Sequence, residues 1–260
     1  MAEGARAARN AEAEHMLAFG RSSDSPYMVH LQSPFSVANY IRIADEVARL
    51  ARREQQRRGE AAPPTVLDWG AGYGQLSYLL AARGCDVTSY DIGTSGTYPL
   101  PIEPARSIVR DTHPSRLPFE AGRFDVVVSC GVLEHVEDDG ASVDEIHRVL
   151  RPGGLFPIYN LPQRWGYIEQ LVKTFRLGYT HERRYTASGT RRLLAAHGFG
   201  VRWMRRSNLL PHNFRGLPPA LRAALTANAS GLLAFDLALG RVPLLNQVAG
   251  ILELLAVRRG

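Results

Sequence analysis

A set of closely spaced glycines, placed after a short apolar segment, is the part of this sequence best suited to binding a ligand. The apolar residues 66–67 lead into Asp68, and Gly70, Gly72 and Gly74 follow at alternate positions. Glycine lets the backbone turn sharply and approach a ligand closely. A helix that starts behind such a turn offers its N-terminus to polar or anionic groups. The pattern therefore predicts a nucleotide-type binding turn between a strand and a helix.

Two common nucleotide-binding turns have a different spacing. A dinucleotide turn needs its third glycine at position 75, where this sequence has Gln75. A phosphate-binding P-loop needs a Gly-Lys pair followed by Ser or Thr, and this is absent from the turn. The turn is therefore expected to bind a ligand that is neither a dinucleotide nor the phosphates of a P-loop nucleotide.

Other polar residues follow the predicted strands. Asp91 ends the second strand, and a carboxylate there suits the two hydroxyls of a ribose. His135 follows the fourth strand, at the sheet edge where open α/β folds bind their ligands. His181 lies in a loop before a predicted helix. Each histidine is a candidate for a general base or a substrate contact, and a purely structural hydrogen bond is the alternative.

Alternating strands and helices must position these residues. A helix is predicted over 4–19, a loop over 20–35, and a long helix from Ser36 to about Arg58. The segment 93–105, with three prolines and two glycines, reads as a loop. Strands are predicted at 65–68, 86–91, 107–110, 124–129, 155–159, 201–206 and 251–257, and helices at 75–83, 139–150 and 186–197, with an apolar helical stretch at 209–250. This alternation predicts an α/β fold with a doubly wound, mostly parallel, seven-stranded sheet.

The glycine turn resembles motif I of the class I S-adenosylmethionine-dependent methyltransferases. The resemblance continues through Arg110-Asp111-Thr112, Leu117-Pro118-Phe119, the strand 124–129, Val132-Leu133-Glu134-His135 and the segment 145–154. The resemblance covers about residues 64–160. The subgroup that the chain resembles is the small-molecule one, methyltransferase type 11, which includes the quinone-biosynthesis O-methyltransferases. It implies a Rossmann-like methyltransferase fold with an N-terminal helical lid and a helical insert before the last strand.

The resemblance also implies S-adenosylmethionine as the cofactor. By the resemblance, Asp91 holds the ribose hydroxyls and Asp111 meets the adenine amino group. The cofactor is cationic and has no phosphate, which fits a turn that contains neither lysine nor arginine. No metal ligands are predicted. The residues expected to bind the cofactor are Asp68, Gly70, Ala71, Gly72, Asp91, Ile92, Asp111, Thr112, Cys130 and Leu133.

The expected reaction is an in-line displacement at the sulfonium methyl group, for which acceptor and methyl carbon must be aligned. A hydroxyl acceptor must also lose its proton, so His135 and His181 are the candidate catalytic residues. The residues expected to contact the acceptor are Tyr27, Tyr159, Asn160, Tyr185 and His212. The function predicted is methyl transfer to a small organic acceptor, with oxygen as the favoured receiving atom.

Charge is divided unevenly along the chain. Residues 161–260 hold fifteen basic and four acidic side chains, a balance of +11; with +6 overall, residues 1–160 carry −5. We therefore expect an acidic cofactor half (61–160) and a basic acceptor half (161–260) with the insert at 209–250. The resemblance adds a lid over 1–60. The positive charge of the acceptor half then favours an acceptor that is anionic or lipid-linked. The other interpretation is that the arginines only keep the protein soluble.

The alternative function is a nucleic-acid methyltransferase acting on RNA. Exocyclic-amine enzymes have an Asp/Asn-Pro-Pro-aromatic motif after the fourth strand, whereas this chain has 129–132 as Ser-Cys-Gly-Val. Cys130 lacks the proline neighbour expected of a cytosine-C5 nucleophile, so a packed thiol is favoured.

Composition sets further bounds on the protein. Two cysteines exclude a disulfide scaffold and a four-cysteine zinc site. No secretory signal or membrane-spanning segment is visible, so the expected setting is the cytoplasm, with peripheral membrane contact open through the apolar insert. A monomer or a homodimer is expected.

Overall fold

A seven-stranded sheet forms the centre of the computed structural model, which describes residues 2–22, 26–92, 108–111, 113, 115–176, 180–211 and 218–260. The strand order is β3-β2-β1-β4-β5-β7-β6. All neighbouring strands pair in parallel except β7, which is antiparallel to β5 and to β6. The strands are β1 (Thr65–Trp69), β2 (Asp86–Ile92), β3 (Val109–Asp111), β4 (Phe124–Cys130), β5 (Leu150–Pro162), β6 (Phe199–Ser207) and β7 (Ile251–Arg258). The predicted α/β, mostly parallel, seven-stranded sheet is confirmed.

Helices cover both faces of this sheet. They are α1 (Ala2–Arg21), α2 (Pro34–Arg58), α3 (Gln75–Ala82), α4 (Asp139–Val149), α5 (Tyr167–Thr174), α6 (Ala187–Ala196), α7 (Pro219–Thr226) and α8 (Ala229–Leu239), with short 3₁₀ helices at Pro26–Leu31 and Leu245–Val248. Successive residues of β4 point to opposite faces, so Val126 and Val128 pack beneath α2 and α3 while Val127 packs towards α4. Burial on both faces explains the unbroken apolar sequence of this strand.

The N-terminal segment packs over the glycine turn. Met16 of α1 and Met28 of the first 3₁₀ helix are fully buried, in one apolar cluster with Tyr73 of the turn. Arg83, at the end of α3, donates to Glu12 of α1 at 3.0 Å and to Asp45 of α2 at 2.6 Å. These contacts give the predicted lid a packed position, and the division into lid and catalytic segments stays a prediction.

A buried ion network joins α2 to the antiparallel edge of the sheet. Glu253 of β7 is fully buried and accepts hydrogen bonds from Arg42 of α2 at 2.6 Å and from Arg205 of β6 at 2.7 Å. Glu46 of α2 also pairs with both arginines. A buried carboxylate is tolerated here because two guanidinium groups neutralise it.

Several boundaries differ from those predicted. The loop predicted over 20–35 contains the 3₁₀ helix Pro26–Leu31, because Met28 and Leu31 find an apolar surface to cover. Strand β5 is longer than the predicted 155–159, since it begins at Leu150 beside Phe124 and continues past a bulge at Asn160. Helix α5 was not expected. Its apolar residues Ile168, Leu171 and Val172 recur at helical spacing, but the helix has only eight residues and none of its side chains is buried.

The insert contains α7, α8 and the second 3₁₀ helix, as a helical insert predicts. Asp236 of α8 anchors it, because this buried carboxylate accepts from the backbone N–H groups of residues 208–210 at 2.7–2.8 Å. The predicted loop at 93–105 lies outside the described residues. Within the described part of the chain, no helix is long and apolar enough to cross a membrane.

Candidate cofactor and acceptor site

The glycine turn connects β1 to α3 and is fixed from two sides. The N–H groups of Gly70 and Ala71 both donate to the carbonyl oxygen of Tyr90 on β2, each at 2.9 Å. Gly70 has φ of +75°, and a Cβ atom placed there would lie 2.4 Å from Cγ2 of Val132. The turn therefore packs against the loop after β4 so closely that only glycine fits at position 70.

Asp91 closes the turn from the end of β2. Its Oδ2 accepts from the N–H of Gly72 at 2.6 Å, and its Oδ1 accepts from the N–H of Ile92 at 2.7 Å. Burial raises the pKa of Asp91, and these two backbone donors only partly offset that effect. Each carboxylate oxygen keeps a second lone pair for a ligand hydroxyl.

A cavity of about 360 Å³ lies between this turn and the loop after β4. Of the predicted residues, Gly70, Gly72, Asp91, Ile92 and His135 line it. Lining that the sequence did not predict comes from Trp69, Tyr90, Ser115, Leu117, Gly131, Val132, Val136 and Ser142. Apolar walls with a few polar groups at defined positions are typical of small-molecule sites.

Asp68 lies under the turn and does not line the cavity. It is buried and accepts from Oγ of Ser77 on α3 at 2.6 Å, and Ser77 in turn accepts from Oγ of Ser89. Burial raises the pKa of Asp68 to about 6. The carboxylate therefore supports the turn, and direct contact with the cofactor stays a prediction.

The remaining predicted cofactor residues are more dispersed. Asp111, at the end of β3, lines a second depression together with His113 and Arg116, and does not line the cavity at the glycine turn. Ala71 and Leu133 are buried without lining the cavity. Thr112 lies outside the described residues.

Cys130 is a packed thiol at the end of β4. Its Sγ accepts from Nδ2 of Asn160 at 3.2 Å. Burial raises the pKa of Cys130 far above its ordinary value, and the charges of Asp68, Glu253 and Glu134 add to the effect. A thiol held neutral in this way gives no support to the cytosine-C5 alternative.

The predicted acceptor residues occupy different positions. Asn160 stands at the β5 bulge with φ of +55° and accepts from Nδ2 of Asn39 at 3.3 Å. Tyr159 is fully buried in the apolar core and does not reach the cavity. The hydroxyl of Tyr185 lies 3.0 Å from both the Leu133 carbonyl oxygen and Oδ2 of Asp139, so it ties its loop to the segment after β4. His212 and the side chain of Tyr27 lie outside the described residues.

His135 and His181 come together although 46 residues separate them in the chain. Their ring centroids are 5.4 Å apart. Burial lowers the pKa of His135, and the charge of His181 adds to this. Burial also acts to lower the pKa of His181, but the hydrogen bond and charge of Glu169 outweigh it and the pKa is raised.

Two carboxylates that the sequence reasoning missed complete this group. Oε1 of Glu169 on α5 is hydrogen-bonded to Nδ1 of His181. Glu134 is only 8% exposed, and its Oε1 lies 4.0 Å from Nε2 of His181 and 3.9 Å from Nε2 of His135. Burial raises the pKa of Glu134 to about 7. Glu134 could have been found from the sequence, because it directly precedes His135. Glu169 was missed because helix α5, which carries it, was not predicted.

The same side chains could also be considered as metal ligands. Glu134, His135 and His181 each offer one ligand atom, and these atoms lie within 4.8 Å of one another. Carboxylate and imidazole are common ligands of divalent metals. The sequence-based expectation of no metal is untested.

The central part of the chain is similar to a known protein family. Residues 67–158 match the family described as "Methyltransferase domain". A ubiquinone biosynthesis O-methyltransferase of Psychrobacter arcticus is 41% identical over 97 residues, which cover 35% of this chain and 38% of that protein. The ubiquinone biosynthesis O-methyltransferase of Pseudomonas paraeruginosa is 35% identical over 108 residues, which cover 37% of this chain and 44% of that protein. The chain thus matches less than half of the length of either relative.

A solved structure shares the overall fold. It is the 1,6-didemethyltoxoflavin-N1-methyltransferase of Burkholderia thailandensis with bound 1,6-didemethyltoxoflavin and S-adenosylhomocysteine. The TM-score is 0.50 at 19% identity, over 85% of this chain and 79% of that one. The match of residues 67–158 bears out the predicted resemblance to methyltransferases for that segment, and the solved structure shows that the fold is shared.

Proposed function

We propose that this chain, whose residues 67–158 match a methyltransferase-domain family, moves a methyl group from S-adenosylmethionine to an oxygen atom of a small organic acceptor. One observation carries the proposal. A single cavity has the glycine turn and Asp91 on one side and His135 on another, so cofactor-type and base-type groups share one space.

The lining suits the cofactor group by group. The Asp91 carboxylate is the acceptor for the ribose hydroxyls, since each oxygen has a lone pair beyond its backbone bond. Ile92 and Leu117 offer apolar surface for the adenine. The methionine end then lies along Gly70 and Gly72, where no lysine or arginine opposes the sulfonium charge.

The histidine pair favours a hydroxyl acceptor. Attack on the methyl carbon forms the O–CH₃ bond and breaks the S–CH₃ bond, which leaves S-adenosylhomocysteine. The acceptor's proton passes to His181 or His135, and a base in this position is worth about 10²–10⁴-fold in rate. The relatives' names as O-methyltransferases agree with oxygen as the receiving atom, over the third of the chain that they match.

The rest of the proposal concerns the setting of the reaction. The +11 balance of residues 161–260 favours an acceptor that is anionic or attached to an anionic lipid. Cys85 and Cys130 are both free thiols, which agrees with a reducing, cytoplasmic setting. A monomer or a homodimer with no nucleic-acid partner completes the proposal.

Release of S-adenosylhomocysteine from S-adenosylmethionine tests this function. The acceptor panel should contain diphenols, hydroxybenzoates and hydroxylated sugar phosphates, with total RNA as the contrasting acceptor. Release that needs a hydroxylated small molecule and falls in Asp91→Ala supports the proposal. Release with RNA alone, or equal release from the Asp91→Ala variant, contradicts it.

A further inference from the structure

We propose that a basic depression beside β6, the edge strand of the sheet, binds the phosphate group of a phosphorylated ligand. The depression has a volume of about 370 Å³ and lies between β6, the first turns of α6 and the turn that follows α8. It shares no lining residue with the cavity at the glycine turn. The inference therefore goes beyond the proposed function and does not depend on it.

Arginine dominates the lining of this depression. Arg191, Arg205, Arg206 and Arg241 all line it, and none of the described lining residues is acidic. Arg205 is already neutralised, because it pairs with the buried carboxylate of Glu253. For the other three arginines, no carboxylate of the described residues lies within 4.0 Å of a guanidinium nitrogen. Three uncompensated positive charges that line one depression attract an anion.

Arg206 holds one edge of its guanidinium group ready for such an anion. Its Nη1 donates to Oδ1 of Asn246 at 3.1 Å, and that partner is neutral. Its Nε is buried and has no hydrogen-bond acceptor among the described residues. Nε and Nη2 together form the side of the group that binds two oxygens of a phosphate at once. A phosphate at this place would supply both the missing acceptor and the missing negative charge.

The fold itself brings the basic residues together. A Cβ atom placed at Gly240 would lie 2.1 Å from the carbonyl oxygen of Arg206, so the end of α8 touches β6 directly. Arg241 follows at once, and the N–H of Asn246 donates to the carbonyl oxygen of Val242 at 3.1 Å, which closes the turn. The depression is therefore built by the packing of the insert on the edge strand.

The size and the border of the depression indicate what the phosphate is attached to. A volume of about 370 Å³ holds more than one phosphate group, so it leaves room for part of the molecule that carries it. Val242, Leu244 and Leu245 follow Arg241 in the chain and are 45%, 84% and 40% exposed. A lipid headgroup and a water-soluble phosphate ester both offer the required chemistry, and the two sources can be separated by experiment.

Binding of pyrophosphate to the full chain, measured by calorimetry at constant ionic strength, tests the site. Arg206→Gln and Arg191→Gln should each raise Kd about tenfold or more, because each removes a charged hydrogen-bond donor. The matched control is Arg202→Gln, which removes the same charge from an exposed position of β6 that does not line the depression and should leave Kd unchanged. Arg191 is exposed, so its substitution keeps the test valid even if Arg206→Gln does not fold.

Sedimentation with vesicles distinguishes the two sources of the phosphate. Vesicles of phosphatidylcholine are compared with vesicles that also contain phosphatidate. Binding that needs phosphatidate and is lost in Arg191→Gln and Arg206→Gln supports the site with a lipid headgroup as its ligand. Binding of pyrophosphate without binding of these vesicles supports the site with a water-soluble phosphate.

Three results would overturn the inference. The first is an unsubstituted chain that binds neither pyrophosphate nor phosphatidate vesicles, and the second is an equal weakening of binding by Arg202→Gln. The third is a loss of S-adenosylhomocysteine binding in Arg191→Gln as large as the loss of pyrophosphate binding, since the depression and the cavity at the glycine turn have no lining residue in common. Because none of these measurements needs a methyl acceptor, failure to find methyl transfer leaves their outcome intact.

Discussion

Replacement of Gly70 by alanine should damage the protein far more than the same change at Gly84, another glycine with positive φ. Gly70 combines a φ of +75° with a contact: an added Cβ would lie 2.4 Å and 2.6 Å from the two Cγ atoms of Val132. Gly84, after α3, has nearly the same φ of +76°, but nothing lies within 4 Å of the position of its Cβ. Comparison of Gly70→Ala with Gly84→Ala therefore separates the cost of the backbone conformation, which both variants have, from the cost of the steric clash, which only Gly70→Ala has.

The expected losses of stability follow from the backbone strain and the steric clash. A left-handed backbone costs an alanine about 1–2 kcal/mol, so Gly84→Ala should lower the free energy of unfolding by that amount. Overpacking adds about 1–3 kcal/mol at Gly70, because Val132 is branched at Cβ and has few alternative rotamers. Gly70→Ala should therefore cost about 2–5 kcal/mol, a large share of the 5–15 kcal/mol typical of a domain. Val132→Ala in the Gly70→Ala background should recover the overpacking part alone.

Urea unfolding of the three variants and the unsubstituted protein, followed by circular dichroism, measures these differences. Titration calorimetry with S-adenosylhomocysteine on the folded variants shows whether the distorted turn still binds. The reasoning is refuted if Gly70→Ala unfolds at the same urea concentration as Gly84→Ala, or if Val132→Ala recovers nothing in the double variant.

Three further predictions concern charged residues. Asp91→Asn removes the charge proposed to hold the ribose, so Kd for S-adenosylhomocysteine should rise about tenfold or more by calorimetry, while Asp86→Asn at the start of the same strand should leave it unchanged; equal effects would contradict the assignment. Asp236→Ala removes the acceptor of the backbone N–H groups at 208–210, so urea unfolding should show a loss of about 2–4 kcal/mol, and a loss below about 1 kcal/mol would be evidence against this anchor. Burial acts to raise the pKa of Glu253, but its two arginine partners outweigh this and lower it, so its contribution is present above the unfolded-state pKa of about 4.3 and is lost as pH falls further. Glu253→Gln should therefore flatten the loss of stability between about pH 5 and pH 3, and a slope equal to that of the unsubstituted protein would contradict this.

The central strands of the sheet could be predicted because local sequence determines them. The apolar run at 124–129 can only be a strand buried on both faces, and the glycine turn marks the end of β1. The start of β5 could not be predicted, because the Pro-Gly-Gly at 152–154 has the composition of a turn. In the structure Leu150 pairs with Phe124, and 152–154 lie in the irregularity before pairing resumes at Leu155. Helix α5 was missed because it is only eight residues long, although Ile168, Leu171 and Val172 recur at helical spacing.

The candidate site also has a part that the sequence could predict and a part that it could not. Gly70, Gly72 and Asp91 follow their strands directly, so their meeting at one edge follows from the topology. Asp68 lies under the turn and accepts from Oγ of Ser77, so its predicted contact with the cofactor stays a prediction. The link from Glu169 to His181 depends on where α5 settles, which no local pattern encodes.

A crystal structure of the chain with S-adenosylhomocysteine tests the central claim most directly. The account predicts one molecule in the cavity between the glycine turn and His135, with both ribose hydroxyls within hydrogen-bond distance of the Asp91 carboxylate and the sulfur on the side of Gly131. A ligand bound elsewhere, or a ribose that makes no contact with Asp91, would contradict it.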